Sequence, residues 1–161
     1  KINLSAFILL KNVILYENKE EKMKGYIHKV QYYETDKMGI THHSNYIRWM
    51  EEARVDFLEK IGFSYAKLES DGIIAPVIGI NCEYKESTKF SDEILIETNV
   101  KEFKGVRLVL EYVMTNNKTG RLVLKGISEH CFVDEKSKPI ILKKKFPELD
   151  KTLKESAINR P

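Results

Sequence analysis

The chain has 161 residues, the size of one ordinary domain, and a fold of that length buries roughly 68–70% of its unfolded surface without metal or disulfide staples. Apolar residues make up 42% and charged residues 32%, which excludes a disordered, collagen-like or disulfide-scaffold chain. The net charge of +3 is too small to point to nucleic acid, and with five Arg (48, 54, 107, 121 and 160) among 27 basic residues the rest are Lys, solvated point charges rather than bidentate readers.

The longest apolar stretch, Ala6 to Tyr16, is broken by Lys11 and Asn12 and falls far short of the ~20 residues of a membrane span. No small-residue cleavage site comes after it, as a secretory signal would need. The first Met is Met23, and the segment after it reads as a clean domain start. Residues 1–22 are therefore expected to be an N-terminal extension, with residues 23–161 forming a single domain.

Tyr26–Tyr33 is rich in β-branched and aromatic residues and reads as a strand. Glu34–His43 is polar, carries Asp36 and Gly39, and reads as a loop. The period then changes: Tyr46, Met50, Ala53, Phe57 and Ile61 step by four, three, four and four, the spacing of one helical face. The predicted helix, Ser44–Ile61, is roughly 27 Å long and closes at Gly62. A short helical or irregular stretch, Ser64–Asp71, precedes four strand-like runs. The first has Ile78, Ile80, Cys82 and Tyr84 alternating behind Pro76. Asp92–Phe103 places Ile94, Ile96, Thr98 and Val100 on one face, and Val106–Thr115 does the same with Val106, Leu108, Leu110, Tyr112 and Met114. Arg121–Asp134 is the last strand, with a bend expected at Gly126, and Pro147 opens a terminal helical turn or two. Tight turns at Lys104-Gly105 and Asn116–Gly120 make neighbouring strands antiparallel. Cys82 and Cys131 have no C-x-x-C partner, so they read as buried free thiols of a reducing compartment, the cytoplasm, rather than as zinc ligands. Five strands and one long amphipathic helix give an α+β fold, a bent antiparallel sheet around that helix.

Chemistry concentrates in Tyr32–Arg54, which joins a carboxylate, a glycine and paired histidines at the mouth of the long helix. A helix N-terminus leaves about four N–H groups without intrahelical partners, a setting that suits a developing oxyanion. Gly39 permits a turn that brings Asp36 back over the helix end, as nucleophile or as base for water. Plainer readings stand beside this one. Asp36 can form an Asx-turn, Asn45 or Ser44 can cap the helix, and Arg54 can pair with Glu51 on the helix face. The paired histidines can be partly exposed polar residues.

The segment resembles the signature of the hotdog-fold acyl-CoA thioesterases of the 4-hydroxybenzoyl-CoA thioesterase-like family. Asp36, Gly39, Ile40, His43, Asn45, Tyr46, Trp49 and Glu51-Glu52-Ala53-Arg54 stand in its order. The resemblance continues to Phe132-Val133-Asp134 and Lys138-Pro139, covering about residues 24–150. It implies the hotdog fold, a curled five-stranded sheet wrapped around one long helix, and hydrolysis of an acyl-CoA thioester with no metal and no cofactor, coenzyme A being part of the substrate. By position it implies Asp36 as the catalytic carboxylate and His43 as the residue whose N–H polarises the thioester carbonyl. Gly39, Asn45 and Tyr46 become substrate-binding, and Lys104 and Arg107 match the region where relatives contact the nucleotide. It also implies a homodimer or homotetramer whose site is completed by a second subunit. Two rival readings are an acyl-carrier-protein thioesterase and a non-catalytic acyl-CoA-binding hotdog.

Overall fold

The computed structural model describes residues 25–158, so the expected extension over residues 1–22 lies outside the described residues. The chain runs β1 (Tyr26–Lys29), a 3-10 turn (Tyr32–Glu34), α1 (His43–Lys60), α2 (Tyr65–Ser70), β2 (Val77–Tyr84), β3 (Glu93–Phe103), β4 (Arg107–Asn116), β5 (Leu122–Cys131), α3 (Leu142–Lys145) and α4 (Pro147–Ile158). β1 is shorter than the predicted Tyr26–Tyr33. The Gln31 N–H donates to the Glu34 carboxylate at 2.7 Å instead of to a ladder, and the chain turns there.

All five strands form one antiparallel sheet in the order β1-β3-β4-β5-β2. Two residues of α1 show its shape. Trp49 stacks on His28 of β1 with ring centroids 4.4 Å apart, while Met50 Sδ lies 3.8 Å from Cys82 Sγ of β2. Those strands are opposite edges of the sheet, four strand spacings or roughly 19 Å apart if it were flat. One helical turn touches both, so the sheet curls around α1 in the hotdog arrangement.

Because the sheet wraps the helix, the buried stripe of α1 is wider than the sequence periodicity suggests. Tyr46, Trp49, Met50, Ala53, Arg54 and Leu58 are buried, while Phe57 and Ile61 pack at its margin. Gly62, at φ +96, ends the helix in a Schellman motif: its N–H donates to Glu59 O at 3.0 Å and Phe63 N–H to Leu58 O at 2.8 Å. Gly126 carries no bulge in β5, since the register runs through Tyr112↔Gly126 without a shift. A Cβ at that position would lie 3.0 Å from Met50 Sδ, so glycine serves the close approach of helix and sheet. α4 is 12 residues, longer than the expected turn or two, because Leu149 and Leu153, one helical turn apart, both reach the core. Cys82 and Cys131 are free and half-buried. Among the described residues no helix is long and apolar enough to cross a membrane.

Arg54 corrects the helix-face expectation. It is buried, with its guanidinium 4.9 Å from the centroid of the Tyr65 ring, rather than lying out beside Glu51. Nearby, a polar chain crosses the core from Tyr112 Oη to Ser128 Oγ (2.9 Å), His130 Nε2 (2.7 Å) and, from Nδ1, Ala75 O (3.3 Å). The network assigns the neutral tautomer, in which Ser128 donates to Nε2 and Nδ1–H donates to the carbonyl. Burial, with Arg54 adding positive charge, pushes the His130 pKa down to about 4. The unfolded chain takes up this proton near pH 6.5 and the folded chain does not, so stability falls as pH drops from 6.5 towards 4, by up to roughly 3 kcal/mol. In thermal or urea unfolding, the stability gap between wild type and His130→Gln is expected to shrink by about that amount between pH 7 and pH 4. A gap independent of pH would contradict the assignment.

Candidate active site

Asp36 sits on a small hairpin. Thr35 and Thr41 form an antiparallel bridge, Asp36 N–H donates to Ile40 O and Gly39 N–H to Asp36 O, both at 2.9 Å. Gly39 turns the chain at φ +72, a conformation side chains with a Cβ rarely adopt. The Asp36 carboxylate is half-buried, and its Oδ1 accepts from Met38 N–H at 2.8 Å. The Asx-turn is therefore real, but it engages one oxygen. Among the described residues no group bonds Oδ2.

The return leg of the hairpin runs directly into α1. His42, rather than Ser44 or Asn45, is the N-cap: its Nδ1 faces Ser44 Oγ at 2.8 Å and Ser44 N–H at 3.4 Å. Asn45 N–H turns back to His42 O at 3.0 Å. His42 and His43 are exposed, with ring centroids 4.2 Å apart. The His43 N–H meets no acceptor among the described residues, and the partial positive charge of the helix start adds to it.

Two buried anchors hold hairpin and helix together. Thr88 accepts Thr41 N–H on its carbonyl at 2.8 Å, and its hydroxyl lies 2.7 Å from Thr41 Oγ1 and 3.0 Å from Tyr46 Oη. Glu34 is the second. Its Oε1 accepts from Trp49 Nε1 at 2.7 Å, its Oε2 from Gln31 N–H at 2.7 Å and faces His28 Nε2 at 3.0 Å, and its carbonyl accepts from His42 N–H at 2.9 Å and Asn45 Nδ2 at 2.8 Å. His28 Nδ1 in turn faces Glu52 Oε2 at 3.0 Å. Burial alone would raise the Glu34 pKa, but the Gln31 N–H, His28 and the Trp49 indole outweigh it and hold the carboxyl below its ordinary value. Nothing in the sequence marked Glu34 or Thr88, whose partners lie up to 47 positions away.

The candidate residues thus divide. Asp36 and Gly39 lie on the hairpin that runs into α1, whose first turn carries His43, Asn45 and Tyr46, but Asn45 directs its side-chain amide to Glu34, and Tyr46 is a core residue whose hydroxyl faces Thr88. Lys104 and Arg107 are elsewhere. β3 carries the chain from Glu93, paired with Lys29 beside the hairpin, to Phe103, roughly 30 Å away. Lys104 pairs there with Glu102 and Arg107 with Glu129. A single chain does not bring them to Asp36. A surface groove along the outer face of α1 is lined by Tyr26, Arg48, Glu51, Glu52, Val55, Asp56 and Glu59. Its four carboxylates make it unsuited to a phosphate-bearing ligand.

A model of the thioesterase-like superfamily matches residues 30–156. YneP of Bacillus subtilis, provisionally named an acyl-CoA thioesterase, is 37% identical over 121 residues, 74% of this chain and 87% of its own length. The acyl-CoA thioesterase YbgC of Haemophilus influenzae is 28% identical over 117 residues, 72% of this chain and 85% of its own. Among solved structures, the DHNA-CoA thioesterase of Staphylococcus aureus is similar with a TM-score of 0.79 and 36% identity, covering 82% of this chain and 89% of that one.

Proposed function

Because the chain belongs to the thioesterase-like superfamily, we propose that it hydrolyses acyl-CoA thioesters to the free acid and coenzyme A. Asp36 either attacks the thioester carbonyl or takes the proton of the water that does. The carbonyl oxygen becomes negative and needs donors already in place; the His43 N–H at the start of α1 is the foremost. Collapse of the tetrahedral species breaks the C–S bond: in the water route the proton taken by Asp36 passes to the coenzyme A sulfur, and in direct attack the mixed anhydride left on Asp36 is opened by water, which also supplies the thiol proton, so that one water is consumed either way. No metal or cofactor enters this reading. The supporting observation is a carboxylate with one unengaged oxygen and a helix N–H without an acceptor, both pinned to Glu34 and Thr88. Single turnover in ¹⁸O-water tests the direct route: label in the Asp36 carboxylate marks direct attack with the mixed anhydride opened at Asp36, whereas label only in the product acid fits water attack on the thioester or on the substrate carbonyl of that anhydride.

In this reading the working unit is a homodimer, or a homotetramer built from it, joined through β2. That edge strand exposes Val77, Ile78, Ile80 and Tyr84, an apolar edge that invites pairing. Tyr84 Oη donates to His43 O at 3.1 Å, so a second copy paired along β2 borders the helix start. Lys104 and Arg107 would then serve the partner's nucleotide rather than their own. Light scattering is expected to give at least twice the chain mass. Ile78→Lys with Ile80→Lys should release monomers whose turnover is reduced at least tenfold. A fully active wild-type monomer would contradict the assembly. The free thiols suit a reducing cytoplasm.

An acyl-carrier-protein thioester is the second substrate reading, favoured by charge placement. The segment Asp134–Lys145 holds five Lys and two acids, a local +3 equal to that of the whole chain. Leu142 N–H donates to Gly105 O at 3.1 Å, placing it beside the Lys104–Arg107 turn. Rates on matched coenzyme A and carrier-protein thioesters decide between the two.

A further inference from the structure

Glu34 is a carboxylate only 4% exposed, and the proposed hydrolysis makes no use of it. Its bonds reach β1, Gln31, the end of the hairpin and the first two turns of α1, and both legs of the Asp36 hairpin hang from it. The outgoing leg starts at the next residue, Thr35, and the return leg is held by His42 N–H on the Glu34 carbonyl. We propose that Glu34 is a positioning residue, whose buried carboxylate fixes the Asp36 hairpin against the N-terminus of α1. The inference rests on the thioesterase reading for its consequence in turnover, but not for its structural content.

The chemistry of the site calls for a carboxylate and not merely its volume. Oε1 faces one N–H and Oε2 faces the Gln31 N–H and a ring nitrogen of His28. Glutamine has the same size, but its amide must place an NH₂ on one side. In either orientation that NH₂ meets the Trp49 indole N–H or the Gln31 N–H, donor against donor. A buried donor pair of this kind forces the side chain to move, and the loop it anchors moves with it. Displacement of a reacting group by about 1 Å costs on the order of 10²-fold in rate.

The full chain carrying Glu34→Gln tests this, with Glu34→Asp as the conservative partner that keeps the charge and carries the test if the Gln variant does not fold. Trp49 is the only tryptophan, stacked on His28 and bonded to Glu34, so its emission reports whether the network is broken. Amide exchange at Asp36, Gly39 and His42 reports whether the hairpin is released. The expected result for Glu34→Gln is altered Trp49 emission, at least tenfold faster exchange at those three amides with mid-α1 amides unchanged, and a kcat lowered about 10²-fold at a KM within twofold. Glu34→Asp should recover part of each. Altered emission with unchanged hairpin exchange would overturn the inference, and so would a released hairpin with wild-type kcat. If the wild type turns over no acyl-CoA at all, the thioesterase reading fails by itself. Exchange then decides the positioning role: faster upholds it, unchanged overturns it.

Discussion

Asp36→Asn is expected to lower thioesterase kcat about 10²–10⁴-fold, the range that loss of a positioned acid–base or nucleophilic group produces. The substitution is informative because the fold has little reason to notice it. Asparagine keeps an Oδ1 that accepts the Met38 N–H, so the Asx-turn survives, and the hairpin bonds of Asp36 use only its backbone. Substrate binding and thermal unfolding should stay close to wild type while thiol release collapses. Near-wild-type rates across short, long and aromatic acyl-CoAs would remove Asp36 from the mechanism.

His43→Pro is expected to lower kcat about 10²–10³-fold, the usual cost of deleting one oxyanion donor. His43 is the first helical residue, the position where proline is best tolerated, because the N–H it removes has no intrahelical partner. The preceding His42 already has ψ 133, the extended geometry a residue before proline prefers. Proline therefore deletes the donor and spares the helix. His43→Ala does the reverse, keeping the N–H and removing the imidazole, and should cost less than tenfold. Equal losses in the two variants would transfer the role to the imidazole and leave the oxyanion assignment without support.

The fold was legible where local periodicity carries it. A step of three and four marked α1 within one residue at each end, and alternation marked β3 and β4, because burial on one face imposes those periods on any sequence that forms them. Asp36 and Gly39 were legible as a turn for a similar reason: their bonds close within five residues. What holds the site was not legible. Glu34 bonds residues six and fifteen positions away, and Thr88 bonds residues 42 and 47 away, so each looks like an ordinary loop residue until the chain is folded. Arg54 misled in the opposite sense. An i−3 acid on the same helix suggested a surface pair, but the sheet curls over that part of α1 and buries the guanidinium against Tyr65. Lys104 and Arg107 show the limit of motif position alone, since strand length, and not sequence distance, sets them roughly 30 Å from the hairpin.

Thioester hydrolysis itself is tested by thiol release from the wild-type chain, measured across short, long and aromatic acyl-CoAs with the product acid quantified alongside. At least one thioester is expected to yield coenzyme A and free acid in equal amounts. Saturable binding of acyl-CoA by the folded chain with no release of thiol would contradict hydrolysis and identify a non-catalytic acyl-CoA-binding hotdog instead.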